Sequence, residues 1–266
     1  MRKLRYTATG AGLPGARALG WWSALHLRGL ENMTLDQQED QAPDVRASMR
    51  ANKLFAGLND AAIAECTAQF TPLRARKSRV LFRQGDAGRQ VCLVLDGFVR
   101  IGRLTQDGRD LTVRIMRRGD FFGEEALFAS MSRSSSAIAL DDCEIAVGRA
   151  DSLAALLMRH PLLSLNIARS SHADHDRTLS HIQAMAFDSV VDRLLSLLHE
   201  LAQECGVRAP GGTRIEAPLT QAQLASLIGT TRETISCELS KLARSGRISR
   251  SGGKIVLRSM LAADAA

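Results

Sequence analysis

The sequence predicts an α+β protein built from a β-rich body, a long helix and a small C-terminal module. Residues 78–123 alternate short β-branched runs with Gly-Asp, Asp-Ala-Gly or Asp-Gly turns, a pattern typical of an antiparallel sandwich or barrel. The 26 residues after Pro161 contain neither glycine nor proline, which favours one long helix beginning there. Residues 219–258 suit two short helices, a turn glycine and a hairpin.

The predicted division has four parts. Residues 1–50 are expected to form a flexible extension, 51–158 a β-rich domain, 159–205 a long helix with the helix that follows it, and 206–260 the C-terminal module. Asp151 is expected to cap a helix after the last strand, and residues 206–218 read as a turn-rich linker. Met33 and Met49 offer alternative translation starts.

Charge is concentrated near the C-terminus. The 266-residue chain has a formal net charge of +7, and residues 207–258 hold nine Lys and Arg against three Asp and Glu, a balance of +6. A basic terminal module on a near-neutral body is the electrostatic footprint of nucleic-acid binding.

Cysteine usage and missing motifs exclude several classes. An odd number of cysteines without a CxxC pair indicates reduced thiols in the cytoplasm and predicts no metal site. The sequence contains no Gly-rich phosphate loop, no HExxH and no Gly-x-Ser-x-Gly, so an enzyme is not expected. No apolar run is long enough to span a membrane. The five cysteines are Cys66, Cys92, Cys143, Cys205 and Cys237.

The C-terminal segment has the pattern of a winged helix-turn-helix. Thr220 and Thr231 each precede a helical period as N-caps, and Gly229 between them supplies the left-handed turn residue. A two-stranded wing is expected to turn at Gly252-Gly253. The inner faces of the two helices would bury Leu224, Ala225, Ile228, Ile235, Leu239 and Leu242.

Polar residues at the start of the second helix predict recognition of double-stranded DNA. Arg232 can bind guanine O6 and N7, and Glu233 can accept from a cytosine amine. The alternative is an exposed helix with solvated charges. The remaining predicted contacts are Ser236 on the outer face, with Thr231, Lys241, Arg244 and Arg250 at phosphates.

The stretch FFGEEALFASMSRSSSAIA, residues 121–139, predicts a clamp for a small anion that carries hydroxyls. Glu124 and Glu125 open a segment of one helical turn whose free amides can hold an anion. Arg133 can reach a phosphate, and Ser134 adds a hydroxyl donor. The alternative is an ordinary hairpin in which Arg133 pairs with one of the two glutamates.

The motifs GEEALFASMSRSS and TTRETIS, with the β-rich body and the long helix, resemble the catabolite-activator and fumarate–nitrate-regulator (CRP/FNR) family of bacterial transcription factors over about residues 51–260. The resemblance implies a cyclic-nucleotide-binding jelly roll, a homodimer joined along the long helix, a palindromic operator and RNA polymerase as a partner. It assigns the ribose 2′-hydroxyl to Glu124, and the cyclic phosphate to Arg133, Ser134 and the amides of Gly123–Ala126.

The sequence is compatible with cAMP, cGMP or another molecule as the effector. Thr178 matches a base-contacting threonine of the cyclic-AMP receptors, but Leu179 stands where they carry a serine. A heme- or redox-dependent gas sensor is the alternative, since the long helix carries three histidines, whereas no cysteine cluster precedes Cys66 to hold an iron–sulfur centre. The long helix also has positions that alternate by four and three residues, the spacing of a coiled-coil seam: Ser171, His175, Thr178, Ile182 and Met185. Its three histidines are His172, His175 and His181.

The recognition helix departs from the family pattern at one position. Members that read TGTGA half-sites carry Arg-Glu-x-x-x-Arg, and here the last position is Cys237. Because each bidentate contact contributes about 1–3 kcal/mol of discrimination, we expect a weaker or altered half-site preference.

Overall fold

The computed structural model describes residues 45–50, 52–127 and 132–258. Most of the predicted flexible extension, residues 1–50, lies outside the described residues. Its last six residues correct the prediction: Val45–Arg50 forms helix α1, and Met49 is fully buried in the core. The burial of this apolar side chain fixes the segment, because returning it to water is unfavourable.

Two short helical elements lead to the first strand. A 3₁₀ turn spans Lys53–Phe55, and helix α2 spans Asp60–Thr67. Each begins at an asparagine, Asn52 or Asn59, whose side-chain oxygen accepts a hydrogen bond from a backbone amide of the first turn. These caps satisfy amides that have no partner within the helix.

Eight strands form two four-stranded antiparallel sheets, as the sequence predicts. Their orders are β1-β8-β3-β6 and β2-β7-β4-β5. A shared core joins them, with Val94 and Ile145 from the first sheet packed with Val99 and Ala137 from the second. The strands are β1 Phe70–Ala75, β2 Val80–Phe82, β3 Gln90–Asp96, β4 Val99–Leu104, β5 Asp110–Met116, β6 Phe121–Phe122, β7 Ser136–Ala139 and β8 Cys143–Arg149.

Three helices follow: α3 Ala150–Arg159, α4 Pro161–Phe187 and α5 Val190–Cys205. Asp151 is not the N-cap of α3, because that helix already begins at Ala150; Asp151 lies in its first turn, where a carboxylate still complements the helix dipole. The predicted break at Pro161 is confirmed. None of the helices in the described ranges is long and apolar enough to cross a membrane.

Helix α4 is anchored at one end and exposed beyond it. Its buried residues are Leu163 and Asn166; the Asn166 amide donates to two carbonyls of the segment after α1, each at 3.0 Å. Farther along, Leu179, Ile182 and Met185 are 51%, 58% and 48% exposed. At 1.5 Å per residue, the 27-residue helix is about 40 Å long, so it presents a long, partly apolar face to solvent.

The C-terminal sheet is larger than the sequence predicts. Four strands pair in the order β11-β12-β10-β9, so the expected two-stranded wing is half of the sheet. The segment read as a linker supplies the other half: β9 Gly206–Ala209 and β10 Gly212–Ile215 form a hairpin, and β10 pairs with β12. The wing strands are β11 Ile248–Ser251 and β12 Lys254–Arg258.

Helices α6 Gln221–Leu227 and α7 Arg232–Arg244 pack on this sheet and on α5. Their predicted caps are confirmed: Thr220 forms a capping box, and Thr231 accepts the amide three residues later. Gly229 has φ +66° between the helices, a conformation that glycine adopts without strain. The predicted inner-face residues Leu224, Ala225, Ile228, Ile235, Leu239 and Leu242 are all buried.

Candidate effector site and DNA-recognition surface

Arg133 lies just before β7 and points into the protein rather than into solvent. It is 3% exposed, and its guanidinium carbon lies 4.0 Å from the centroid of the Phe82 ring. Nη1 donates to the Gly123 carbonyl at 3.0 Å and to Glu125 Oε1 at 3.1 Å, while Nη2 donates to the Gln90 carbonyl. Phe82, Gln90, Gly123, Glu125 and Arg133 are called the Arg133 cluster below.

One nitrogen of this guanidinium is left over. Arg133 Nε is buried and has no hydrogen-bond partner in the described part of the chain. A buried donor without an acceptor is unfavourable by about 1–3 kcal/mol. An incoming oxygen atom at this position would remove that penalty.

Gly123 makes the close approach of Arg133 possible. Its φ is +82°, a conformation that other residues adopt only with strain. A Cβ atom at this position would lie 2.8 Å from Arg133 Nη1 and 3.1 Å from the Gln90 carbonyl oxygen. The glycine therefore leaves the space that the arginine occupies.

Glu124 is half-buried and makes no ion pair within the described ranges. Burial raises the pKa of its carboxyl, and the nearby Glu125 and Asp174 carboxylates act in the same direction. A carboxyl oxygen there can accept a hydrogen bond from a hydroxyl, and no ion pair in the described ranges would have to be broken for it. This environment suits a sugar hydroxyl.

The structure corrects one predicted donor and locates another. The predicted single helical turn is a 3₁₀ turn over Glu124–Leu127, and in it the Ala126 amide donates to the Gly123 carbonyl at 3.1 Å. Ala126 therefore has no free amide for an anion, because the tight turn consumes it. Ser134 is exposed beside Arg133, so its hydroxyl is accessible.

Thr178 lies on α4, outside the Arg133 cluster. Its hydroxyl donates to the Asp174 carbonyl of its own helix at 2.9 Å, and the side chain is exposed. Thr178 therefore makes no hydrogen bond, in the described part of the chain, to the residues predicted to hold the phosphate and the ribose. The Asp174 carboxylate instead pairs with Arg114 of β5 at 2.5 Å.

An ion network joins α4 to the body and to α5. Arg177 pairs with Glu200 at 3.0 Å and Glu204 at 3.1 Å, and also lies 3.6 Å from Asp174. Arg117, just after β5, donates to the Glu204 carbonyl at 2.5 Å. The long helix α4 is thus tied by ion pairs both to β5 and to α5.

Helix α6 also contacts the domain formed by strands β1–β8 directly. The backbone amide of Thr112 on β5 donates to Ser226 Oγ on α6 at 2.6 Å. Because β5 is the edge strand of its sheet, this bond satisfies a donor that strand pairing leaves open. The helix-turn-helix is therefore in contact with the domain that holds Arg133.

The outer face of α7 presents the predicted recognition residues. Thr231, Arg232, Glu233 and Ser236 are exposed at its N-terminal end, and Thr231 also caps the helix. Lys241 is exposed and pairs with Glu238 at 2.7 Å, so this lysine has a partner that a phosphate would have to replace. An open groove on this face is lined by Gln221, Arg232, Glu233, Ser236, Cys237, Ser240 and Arg244.

Sequence reasoning missed several residues around both sites. Phe82 and Gln90 reach Arg133 from β2 and β3, and no local pattern near residue 133 points to them. Gln221 and Ser240 line the groove on α7. Gln221 comes from the first turn of α6, so only the packing angle of the two helices places it there.

The histidines of the heme-based alternative are exposed, whereas three of the five cysteines are buried. His172, His175 and His181 are exposed on α4, and the described residues contain no group of three or more potential metal ligands. Burial raises the pKa of the thiols of Cys92 and Cys143 to about 12. Buried thiols with such values react slowly with oxidants, because the thiolate is the reactive form.

Comparison with known proteins places both sites in family domains. A cyclic nucleotide-binding domain matches residues 72–160, and a Crp-like helix-turn-helix domain matches residues 192–262. The CRP-like cAMP-activated global transcriptional regulator of Mycobacterium tuberculosis is 32% identical over 204 residues, which cover 77% of this chain and 91% of that protein.

Other relatives carry names that refer to other signals. The anaerobic regulatory protein of Bacillus subtilis is 31% identical over 189 residues, covering 70% of this chain and 79% of that protein. The structure of CLP, a c-di-GMP responsive global regulator of Xanthomonas campestris, matches with a TM-score of 0.65 and 26% identity, covering 76% of this chain and all of that one.

These matches define a DNA-binding transcription regulator with a cyclic nucleotide-binding domain. The chain belongs to the CRP/FNR family. Proteins of this family are transcription regulators rather than enzymes.

Proposed function

We propose that this chain is a homodimeric transcription regulator gated by a cyclic nucleotide, cAMP or cGMP. The observation that carries the proposal is Arg133, a buried cation with an unpartnered Nε, beside a glycine that leaves room for it and a carboxyl suited to a hydroxyl. A cyclic nucleotide carries a phosphate monoanion and a ribose 2′-hydroxyl at a fixed separation, so it matches both groups.

In this proposal the residues divide the ligand between them. Arg133 and Ser134 hold the cyclic phosphate, because a guanidinium and a hydroxyl both donate to phosphate oxygens. Glu124 accepts from the ribose hydroxyl. The backbone of Gly123 and Glu125 lies beside the phosphate. The Ala126 amide does not donate to it, because it is already hydrogen-bonded within the 3₁₀ turn.

The base is assigned to helix α4 at the subunit interface. The exposed apolar side chains of Leu179, Ile182 and Met185 support pairing with a second copy, since burying them gains about 25 cal/mol per Å². Thr178 lies on this helix beside Leu179, and its hydroxyl is the base contact that we propose. Leu179 offers no hydrogen bond, so Thr178 carries the polar part of base selection.

DNA binding is proposed to use the N-terminal end of α7. Arg232 and Glu233 read base edges, Thr231 and Lys241 bind phosphates, and Ser236 lies between them on the same face. Two copies related by two-fold symmetry would read a palindromic operator, with half-sites one helical turn apart or a multiple of it. RNA polymerase is the partner proposed for the bound regulator.

A calorimetric titration tests the effector. The purified protein is titrated with cAMP and with cGMP, in parallel with Arg133→Leu and with Arg149→Leu as a control at an exposed arginine. Saturable heat with one nucleotide, lost in Arg133→Leu and retained in Arg149→Leu, is expected. No heat with either nucleotide would reject the cyclic-nucleotide assignment and leave the DNA-binding assignment standing.

A further inference from the structure

We propose that the Glu125 carboxylate is a built-in competitor of the effector for Arg133, which lowers effector affinity and sets the concentration at which the regulator responds. This inference rests on the proposed cyclic-nucleotide function and adds the regulation of that site.

The contacts of Arg133 differ in charge. Of its three acceptors, the carbonyls of Gly123 and Gln90 are neutral, whereas Glu125 is an anion with Oε1 3.1 Å from Nη1. All three bonds are strengthened by the charge of the arginine, but only the carboxylate also brings the opposite charge. Glu125 therefore balances the buried charge that a phosphate would otherwise balance.

The contacts also differ in how easily they can be exchanged. The Gln90 carbonyl belongs to β3, and the Gly123 carbonyl is fixed by the bond from Ala126. Glu125 lies on a short 3₁₀ turn, and its side chain is 22% exposed, so it can turn toward water without breaking a strand. Of the three acceptors, Glu125 is therefore the one whose side chain can move away from Arg133.

A phosphate and Glu125 would compete for the charge of one guanidinium. Of the five N–H groups of Arg133, three donate to the carbonyls of Gly123 and Gln90 and to the Glu125 carboxylate, whereas the Nε–H has no acceptor in the described residues. A phosphate oxygen that binds there would therefore share the guanidinium with Glu125. Two anions held by one guanidinium also repel each other strongly at this depth. Binding therefore exchanges Glu125 for the phosphate, and the observed affinity is the difference between the two.

Glu125→Gln removes the competing charge and keeps the length of the side chain and an oxygen acceptor. We expect Glu125→Gln to bind the preferred cyclic nucleotide about tenfold more tightly than the unmodified protein, since a neutral acceptor holds Arg133 less strongly. Glu144→Gln is the matched control. Glu144 on β8 also pairs with an arginine, Arg74 on β1, at 3.1 Å, and neither residue belongs to the Arg133 cluster.

Calorimetric titration with cAMP and cGMP compares four proteins: unmodified, Glu125→Gln, Glu144→Gln and Arg133→Leu. Tighter binding in Glu125→Gln alone supports the inference. The inference is overturned if Glu125→Gln binds the nucleotide equally well or more weakly than the unmodified protein. The proposed function stays intact in that case, provided that the unmodified protein binds and Arg133→Leu does not. No binding by the unmodified protein or by Glu125→Gln overturns both.

A second measurement avoids the variant in case its fold is lost. A crystal structure of the unmodified protein with the bound nucleotide is expected to show the Glu125 carboxylate more than 4 Å from the Arg133 guanidinium, with a phosphate oxygen in its place. A nucleotide complex in which the 3.1 Å pair persists would overturn the inference.

Discussion

Arg133 and Arg232 are the two arginines on which the account depends, and the protein treats them in opposite ways. Arg133 is buried, held by two carbonyls, a carboxylate and an aromatic ring. Arg232 is exposed at the start of α7 and makes no side-chain hydrogen bond or ion pair within the described ranges. The same side chain is preorganised in one site and left solvated in the other.

The difference follows from the size of the target. A small ligand can be enclosed, so a buried arginine with a local competitor can select it inside a pocket. A DNA duplex cannot be enclosed, and its base edges must be reached from outside by a side chain that is free to adjust. The buried site therefore links binding to fold stability, whereas the exposed site does not.

The largest contrast is expected in stability. Arg133→Leu removes a buried cation and leaves Glu125 without its partner, which should lower the free energy of unfolding by roughly 2–4 kcal/mol. Arg232→Leu should change it by less than about 0.5 kcal/mol, because the side chain is exposed and unpaired. Urea unfolding followed by circular dichroism at one protomer concentration measures both. Equal losses in the two variants would contradict the contrast.

DNA discrimination should show the reverse order. Arg232→Ala is expected to lose about 1–3 kcal/mol of preference for the guanine that it reads, while cyclic-nucleotide binding stays unchanged. The site is first selected from random DNA, and affinities for it and for guanine-substituted sites are then compared by fluorescence anisotropy. A loss that is uniform over all sequences would assign Arg232 to the phosphates instead.

Cys237, on the same face of α7 as Arg232, should change the half-site that the protein prefers. Selection from random DNA should return a half-site other than an unmodified TGTGA, and Cys237→Arg should move the preference toward TGTGA, because a second arginine on the same face can read another guanine. Recovery of the TGTGA palindrome at full affinity by the unmodified protein would count against this reading of the recognition helix.

A smaller effect is expected from alanine variants of Gly123 and Gly108, which distinguish a steric clash with Arg133 from backbone strain alone. Gly123 and Gly108 share a φ of +82°, but a Cβ at Gly123 meets Arg133, whereas one at Gly108 meets nothing within 4 Å. Each alanine variant should be strained by about 1 kcal/mol, and Gly123→Ala should also weaken nucleotide binding. If Gly108→Ala weakens binding equally, the close approach of Gly123 to Arg133 is not part of the site.

The smallest effect concerns the phosphates. Lys241→Gln should reduce the slope of log affinity against log salt by about 0.9 per protomer, and so by about 1.8 for the proposed dimer, and should leave guanine discrimination unchanged. Lys77→Gln, at an exposed lysine between β1 and β2, is the control and should leave the slope as it is. Anisotropy titrations at several salt concentrations measure both slopes.

Local signals in the sequence predicted much of the fold. Caps at Thr220 and Thr231, the turn at Gly229 and the break at Pro161 all depend on neighbours within one helical turn, and all four are confirmed. The hairpin of β9 and β10 was missed because its stabilising partner is β12, more than 40 residues later in the chain. Strand pairing of this kind leaves little local trace.

The site was predictable only in part for the same reason. The pattern around Gly123 and Arg133 indicated an anion clamp, and it also left open a pair between Arg133 and a glutamate; the structure contains that pair, with Glu125. What the local pattern does not contain is the depth of burial. That depth comes from Phe82 and Gln90 on strands distant in sequence.

The most direct test of the account is whether a ligand at Arg133 changes DNA affinity. The dissociation constant for the selected operator is measured with and without saturating cyclic nucleotide, for the unmodified protein and for Arg133→Leu under conditions where both are folded. We expect a change of roughly 5- to 150-fold in the unmodified protein and none in Arg133→Leu. An equal response in both proteins, or no response in the unmodified protein, would contradict it.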